Sequence, residues 1–168
     1  MKLMDTSSLI LFLDFIPEYK FIIKFSETGE VMIITSDVEK EYYEKAGINT
    51  DLNYNLDNLL NSHIIQKDDC IINDMFKTRY FNLGIGEKSI ISLALKYKEE
   101  QNEECYCVLD DKDARKIAQK LGLKVKGSIG LLLLLKEKGL LENPKEISEK
   151  ISKSQFRISE KILGELYA

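Results

Sequence analysis

The chain of 168 residues has one histidine and three cysteines. With no second ligand or nucleophile in pattern beside it, His63 reads as structural. Cys105 and Cys107 form a C-x-C pair, but a metal site would want further Cys or His at a second short spacing, and none is present. An odd count of three cannot pair completely, and these two lie in an apolar run, which reads as free buried thiols in a reducing cytoplasm. Long apolar runs are also missing. The stretch 9–15 is too short to span a membrane, is interrupted by Asp14, and lacks a signal-peptide layout. Glycines do not fall at G-x-x-x-x-G-K-[ST] or G-x-G-x-x-G spacing, so neither phosphate-loop signature is present. Positive charge is scarce: 24 Lys and Arg against 28 Asp and Glu leave a net charge of −4. That argues against a broadly basic nucleic-acid-binding surface and leaves room for a local patch.

What remains is ordinary for a globular protein: 44% hydrophobic and 31% charged residues, enough for a proper core. One domain is expected over 1–168, with the helices of 143–168 packed as an extension.

The organising stretch runs over 108–141. The apolar run 105–109 ends abruptly in Asp110 and Asp111, with Asp113 two residues on. Ala114, Ile117, Ala118 and Leu121 then recur at the spacing of one helix face, and Gly122 stops that helix. Leu123 and Val125 alternate with lysines as in a short strand. Ser128 is placed to cap a helix over 129–138, and five consecutive leucines predict that it is buried nearly all round. The order is strand, acidic cluster, helix, strand, helix. It puts carboxylates at the C-terminal end of a buried parallel strand, where open α/β sheets build their sites.

Elsewhere the same alternation recurs. Residues 2–4 read as a first strand, followed by Asp5 and a helix over 9–15 that Pro17 closes. Taken alone, Asp5 is an N-cap aspartate. A helix over 18–27 with Phe21, Ile22 and Phe25 on one face ends at Gly29, and 31–34 is a second buried strand. The helix over 38–46 carries Glu39, Glu41 and Glu44. Acids on such a helix are mostly solvated, but Glu41 lies one turn beyond Val38, where an inward position is expected. Residues 49–61, rich in Asn and Asp, read as a loop leading to a short helix. A third strand over 63–65 and a helix over 68–82 follow. Gly84, Ile85, Gly86 and Glu87 open a helix over 88–99, with Glu87 in the first turn, where a carboxylate is favoured by the helix dipole. Asn143-Pro144-Lys145-Glu146 has the pattern of a capping box. Ile147 and Ile151 face inward beyond it, Phe156 and Ile158 read as an extended connection, and Ser159 starts a last helix packed through Ile162, Leu163 and Leu166.

Asp5, Glu41, Glu87 and the pair Asp110 and Asp111 each fall near a strand end or helix start. In a parallel sheet such ends share one edge. Carboxylates gathered there repel one another unless a cation is present. Oxygen-only ligand sets select hard divalent ions, Mg²⁺ or Mn²⁺, which can activate water for phosphodiester displacement. That chemistry needs no His, Cys or Ser nucleophile.

The segments MDTSSLILFL, VEKE after a buried strand, LGIGEKSIISLALKY and VLDDKDARKIAQKLGLKVKGSIGLLLLLKEKGL together resemble the PIN domain superfamily. The tail resembles the G-[ST]-x-G-x-L-L-x-x-K-x-x-G-L pattern of VapC-like proteins. The resemblance covers nearly the whole chain, and the order of its motifs is more specific than any one of them. It implies a three-layer α/β/α sandwich with a mainly parallel central sheet. It implies a Mg²⁺- or Mn²⁺-dependent ribonuclease, often the toxin of a toxin–antitoxin pair and often a homodimer. With the thiols and the short apolar stretch above, the expectation is a cytoplasmic enzyme with no membrane role, acting on single-stranded or looped RNA.

Matched by position, the metal-binding aspartates and glutamates are Asp5, Glu87 and Asp111. Glu41 is the helix glutamate, with Glu39 as its neighbour if the register slips. Asp110 stands beside Asp111 as an alternative or additional ligand, and Leu109 replaces the family's usual Thr. Ser7 matches the hydroxyl next to the first aspartate. Lys88, Lys112, Arg115 and Lys116 flank the site as candidate RNA contacts, although a solvated helix face explains them equally well. A phosphatase of the haloacid dehalogenase type also begins with an aspartate after strand one, but needs a second two residues later, where this chain has Ser7. The alternative outside enzymology is a PIN-like module that binds RNA or protein without cutting.

Overall fold

The structure, a computed structural model, describes residues 1–16, 20–46, 50–154 and 158–167. Five three-residue strands form its sheet: β1 (Lys2–Met4), β2 (Met32–Ile34), β3 (Ile65–Lys67), β4 (Tyr106–Val108) and β5 (Lys124–Lys126). Their order is β3-β2-β1-β4-β5, and every pairing is parallel. Leu3, Met4, Ile34, Cys107 and Val108 are all fully buried, as expected of a sheet covered on both faces by helices. The α/β/α sandwich implied by the resemblance is therefore present, with an all-parallel sheet.

The helices are α1 (Thr6–Ile10), α2 (Lys20–Glu27), α3 (Ser36–Ala46), α4 (Thr50–Asn61), α5 (Asp74–Arg79), α6 (Ile85–Lys96), α7 (Lys112–Lys120), α8 (Ser128–Glu137), α9 (Pro144–Ser152) and α10 (Glu160–Tyr167). Both α1 and α6 continue as a wider π turn, over Leu11–Phe15 and Tyr97–Gln101. Among the described residues no helix is long and apolar enough to cross a membrane.

The topology positions the site. The chain builds outward from β1 to β2 and β3, then returns to the other side of β1 for β4 and β5. The reversal creates a crevice at the carboxyl ends of β1 and β4. Met4 pairs with Val108, so Asp5 and the run Leu109-Asp110-Asp111 leave the sheet side by side.

Several local expectations are corrected. Residues 50–61 are a twelve-residue helix, not mainly loop. Leu56 and Leu59 are buried one turn apart, while Asp57, Asn58 and Asn61 take the exposed side, so packing overrides the weak helix preference of Asn and Asp. The third strand starts two residues later than expected, at Ile65. The helix expected over 68–82 is only α5. Upstream carboxylates are engaged elsewhere: Asp69 accepts from the Ser36 N–H and hydroxyl, and Asp68 from the Tyr97 hydroxyl. Asn73 caps α5 through the Met75 N–H, and Met75 is 81% exposed rather than core.

In α8, Gly127 is the cap residue and Ser128 is already inside the helix. Of its five leucines, Leu131, Leu132 and Leu135 are buried and the other two half-buried. The capping box at Asn143 does not form: Asn143 is left-handed (φ 55°) and makes no side-chain cap, although Pro144 does open the helix and Ile147 and Ile151 are buried. In α10, Leu166 is buried but Ile162 is exposed. The roles expected of Pro17, Asn49 and Phe156 fall outside the described residues.

Candidate active site at the carboxyl edge of the sheet

Asp5, Glu41, Glu87 and Asp111 line one cleft of about 250 Å³, together with Thr6, Ser7, Lys45, Asn82 and Gly84. Four acids from four separated segments thus converge, three placed by a strand end or a helix start and Glu41 by the middle of α3. Asp5 caps α1: its Oδ1 accepts from the Ser8 N–H at 2.8 Å and the Ser8 hydroxyl at 2.6 Å, and its Oδ2 from the Asp110 N–H at 3.2 Å. Only 2% exposed, it is the most deeply set of the four. Burial, and after it the neighbouring Asp110 charge, push its carboxyl up to about 7, against the lowering effect of its hydrogen bonds.

Glu41 reaches from the middle of α3. Its Oε2 accepts from the Thr6 hydroxyl at 2.7 Å and its Oε1 from the Gly86 N–H at 3.3 Å. Lys45, one turn on, stands 3.8 Å from it. Glu87 turns back to accept the Gly84 N–H at 2.9 Å, half of a reciprocal cap whose other half glycine cannot supply. Burial raises the Glu87 carboxyl, and the charges of Asp111 and Glu41 raise it further. Asp111 caps α7, its Oδ1 taking the N–H groups of Asp113 and Ala114 at 2.8 Å each.

Asp110 is used differently. Its two oxygens accept the N–H and the hydroxyl of Ser128, at 2.7 and 2.5 Å. It borders a separate cavity of about 590 Å³ between α8 and α10, together with Arg115.

The donor chemistry of the cleft suits a hard divalent cation: its acidic side chains offer oxygens, and a cation there would offset the repulsion of Glu87 by Asp111 and Glu41. Asp111 Oδ2 and Glu87 Oε1 accept no hydrogen bond from the described residues. As the side chains stand, no three acidic, histidine or cysteine groups among the described residues are close enough to hold a metal.

The DUF3368 family of PIN domains matches residues 1–168. The chain belongs to the PIN domain superfamily. No curated protein and no solved structure matches it. PIN domains are generally nucleases that use divalent metals, and the acidic cleft of this PIN domain has the matching composition.

Of the candidate RNA contacts, Ser7 lines the cleft and the four basic residues do not. Lys112 is exposed at the start of α7, and Lys116 is exposed with Asp113 at 3.7 Å. Lys88 is half-buried on α6. Arg115 donates to the carbonyls of Leu109 and Asp110, at 2.9 and 2.6 Å, and so ties down the chain leaving β4. Glu39 pairs with Lys67 at 2.8 Å and is not among the residues that line the PIN cleft. Sequence reasoning missed Thr6, Ser8, Lys45, Gly86 and Ser128. Gly86 carried a signal in its repetition after Gly84, and Ser128 in the G-[ST]-x-G pattern of 127–130, though neither signal named its partner. An added Cβ at Gly86 would lie 2.7 Å from Glu41 Oε2, so that close approach requires glycine.

Proposed function

We propose that this PIN domain is an endoribonuclease working with Mg²⁺ or Mn²⁺ held by Asp5, Glu87 and Asp111. The observation that carries the reading is the convergence of four carboxylates from four segments in one cleft at the sheet's switch point. A divalent ion bound there supplies a more acidic water and stabilises charge on a phosphodiester in displacement. Glu41, braced by Thr6 and Gly86, would orient an attacking water and accept its proton at the carboxylate. Lys45, the cation lining the cleft, offers its ammonium to a phosphate oxygen. Ser7, half-buried on the same wall, is a hydroxyl donor to the backbone of the substrate.

The same reading takes single-stranded or looped RNA as substrate, since its phosphates reach a narrow acidic cleft more readily than those of a duplex. It makes the protein a homodimeric toxin restrained by a cognate antitoxin, supported by the VapC-like pattern over 127–140.

Purified protein incubated with single-stranded RNA and Mn²⁺ should cleave it, and EDTA, Asp5→Asn or Glu87→Gln should stop cleavage. RNA binding without cleavage under metal saturation would make the protein a binding module instead. Growth arrest on induced expression, relieved by a small protein encoded next to it, tests the toxin role.

A further inference from the structure

We propose that Ser128 and Asp110 form a bracket, anchored in the first turn of α8, that fixes Asp5 in position for the metal. The inference rests on the nuclease reading and assigns Asp110 to positioning rather than to the ligand set.

Asp5 is almost wholly buried, so water does not set its orientation. Its oxygens are held by Ser8 on one side and by the Asp110 N–H on the other. Asp110 is in turn gripped at both oxygens by one residue, Ser128, through its N–H at 2.7 Å and its hydroxyl at 2.5 Å. Ser128 is itself 1% exposed, and its oxygen lies 3.0 Å from that of Ser8. Ser128 has a single hydroxyl hydrogen and two acceptors in reach; the shorter contact, to a carboxylate, claims it. Ser8 gives its own hydrogen to Asp5 at 2.6 Å, the shorter of its two contacts, the Val108 carbonyl lying at 3.3 Å. Gly127 permits the grip, since a Cβ there would stand 3.3 Å from Asp110 Oδ1.

Asp110 and Asp111, adjacent in sequence, thereby divide their tasks. Asp111 lines the cleft with one oxygen that accepts no bond among the described residues, while Asp110 has both oxygens committed to α8. The negative charge of Asp110 is placed at a helix N-terminus, where it is favoured. Partners that orient a metal ligand without touching the metal typically change affinity by about 10–100-fold.

The test is titration of the full chain with Mn²⁺ alone, followed by calorimetry, alongside melting in metal-free buffer. Ser128→Ala should weaken Mn²⁺ binding by about tenfold, and Ser128→Thr, which keeps the hydroxyl, should restore it to within about twofold. Asp110→Asn leaves an acceptor for the Ser128 N–H and removes the one for its hydroxyl. It should weaken binding by the same tenfold, and the double variant should be no weaker than either single one. A Ser128→Ala protein that melts lower but binds Mn²⁺ like the wild type overturns the bracket and leaves Ser128 as packing. If Ser128→Ala does not fold, Asp110→Asn decides: loss as complete as in Asp111→Asn makes Asp110 a ligand and overturns the proposal. Wild-type protein that binds no Mn²⁺ overturns the nuclease reading and the bracket together, an outcome distinct from failure of the bracket alone.

Discussion

Gly86 stands so close to Glu41 that a methyl group in place of its hydrogen would lie 2.7 Å from Glu41 Oε2. It would also lie 3.1 Å from the Thr6 hydroxyl that holds the same oxygen. Gly86→Ala must therefore displace the Glu41 carboxylate. That group is the end of a flexible side chain, and alanine in a helix gains about 1 kcal/mol over glycine, so net stability should change by less than about 1 kcal/mol. Cleavage, in contrast, should fall by at least about tenfold, equivalent to roughly 1.4 kcal/mol. Melting curves and rates on one preparation check both. Full activity would mean that Glu41 need not be held where Thr6 and Gly86 hold it.

Asp5 makes the metal-free protein pH-sensitive. Its carboxyl is raised from 3.8 to about 7, chiefly by burial and next by Asp110. The neutral form is thus favoured in the folded state. Its contribution to stability is fully present below about pH 4 and is lost as pH rises through about 7, a change of about 4 kcal/mol at 1.36 kcal/mol per unit. Asn at this position does not titrate, though it gives up the weak acceptor for the Asp110 N–H. Asp5→Asn should therefore gain stability relative to wild type between pH 4 and 7 in EDTA. Denaturant unfolding at pH 4.5 and 7.5 measures the difference, and a constant gap would contradict the account.

Lys45 is 57% exposed, and its ion pair with Glu41 is long, so Lys45→Ala should alter stability by less than about 0.5 kcal/mol. On the proposed reading it should raise KM for RNA and reduce the magnitude of the salt slope of binding by about one. An unchanged slope would remove Lys45 from the phosphate path.

The lysines and the arginine of α7 should separate. Arg115→Ala leaves the Leu109 and Asp110 carbonyls without their donor and should cost about 1–3 kcal/mol. Lys112→Ala with Lys116→Ala should stay within about 0.5 kcal/mol of wild type. If both lysines bind RNA, the double variant weakens binding and flattens its salt dependence; equal loss of fold in the two cases would contradict the division.

The sequence made the frame legible where a local pattern decides it. Leu3, Ile33 and Cys107 lie in short apolar runs, and they pair across β1, β2 and β4. Asp5 and Asp111 were legible because they stand just past such runs, Glu87 because it follows a glycine turn, and Glu41 because it lies one turn beyond Val38. What was not legible depends on distant partners. The buried face of α4 is specified by what covers Leu56 and Leu59, not by its Asn-rich composition. Asp68 and Asp69 look like helix residues until Tyr97 and Ser36 claim them. Nothing local in the sequence shows that the hydroxyls of Thr6 and Ser128 contact carboxylates 35 and 18 residues away. The distinction between Asp110 and Asp111 turns entirely on such a contact.

The most direct test of the acidic cleft is single-turnover cleavage of a single-stranded RNA by wild type and Asp111→Asn, with Mn²⁺ and with EDTA. Asp111→Asn keeps an acceptor for the α7 N–H groups, so the fold should persist while a charge proposed to hold the metal is lost. Wild type should cut only with the metal, and the variant should be slower by at least about 100-fold, roughly 3 kcal/mol. Equal rates for the two proteins, or cleavage that survives EDTA, would contradict the assignment of this cleft as a metal-dependent nuclease site.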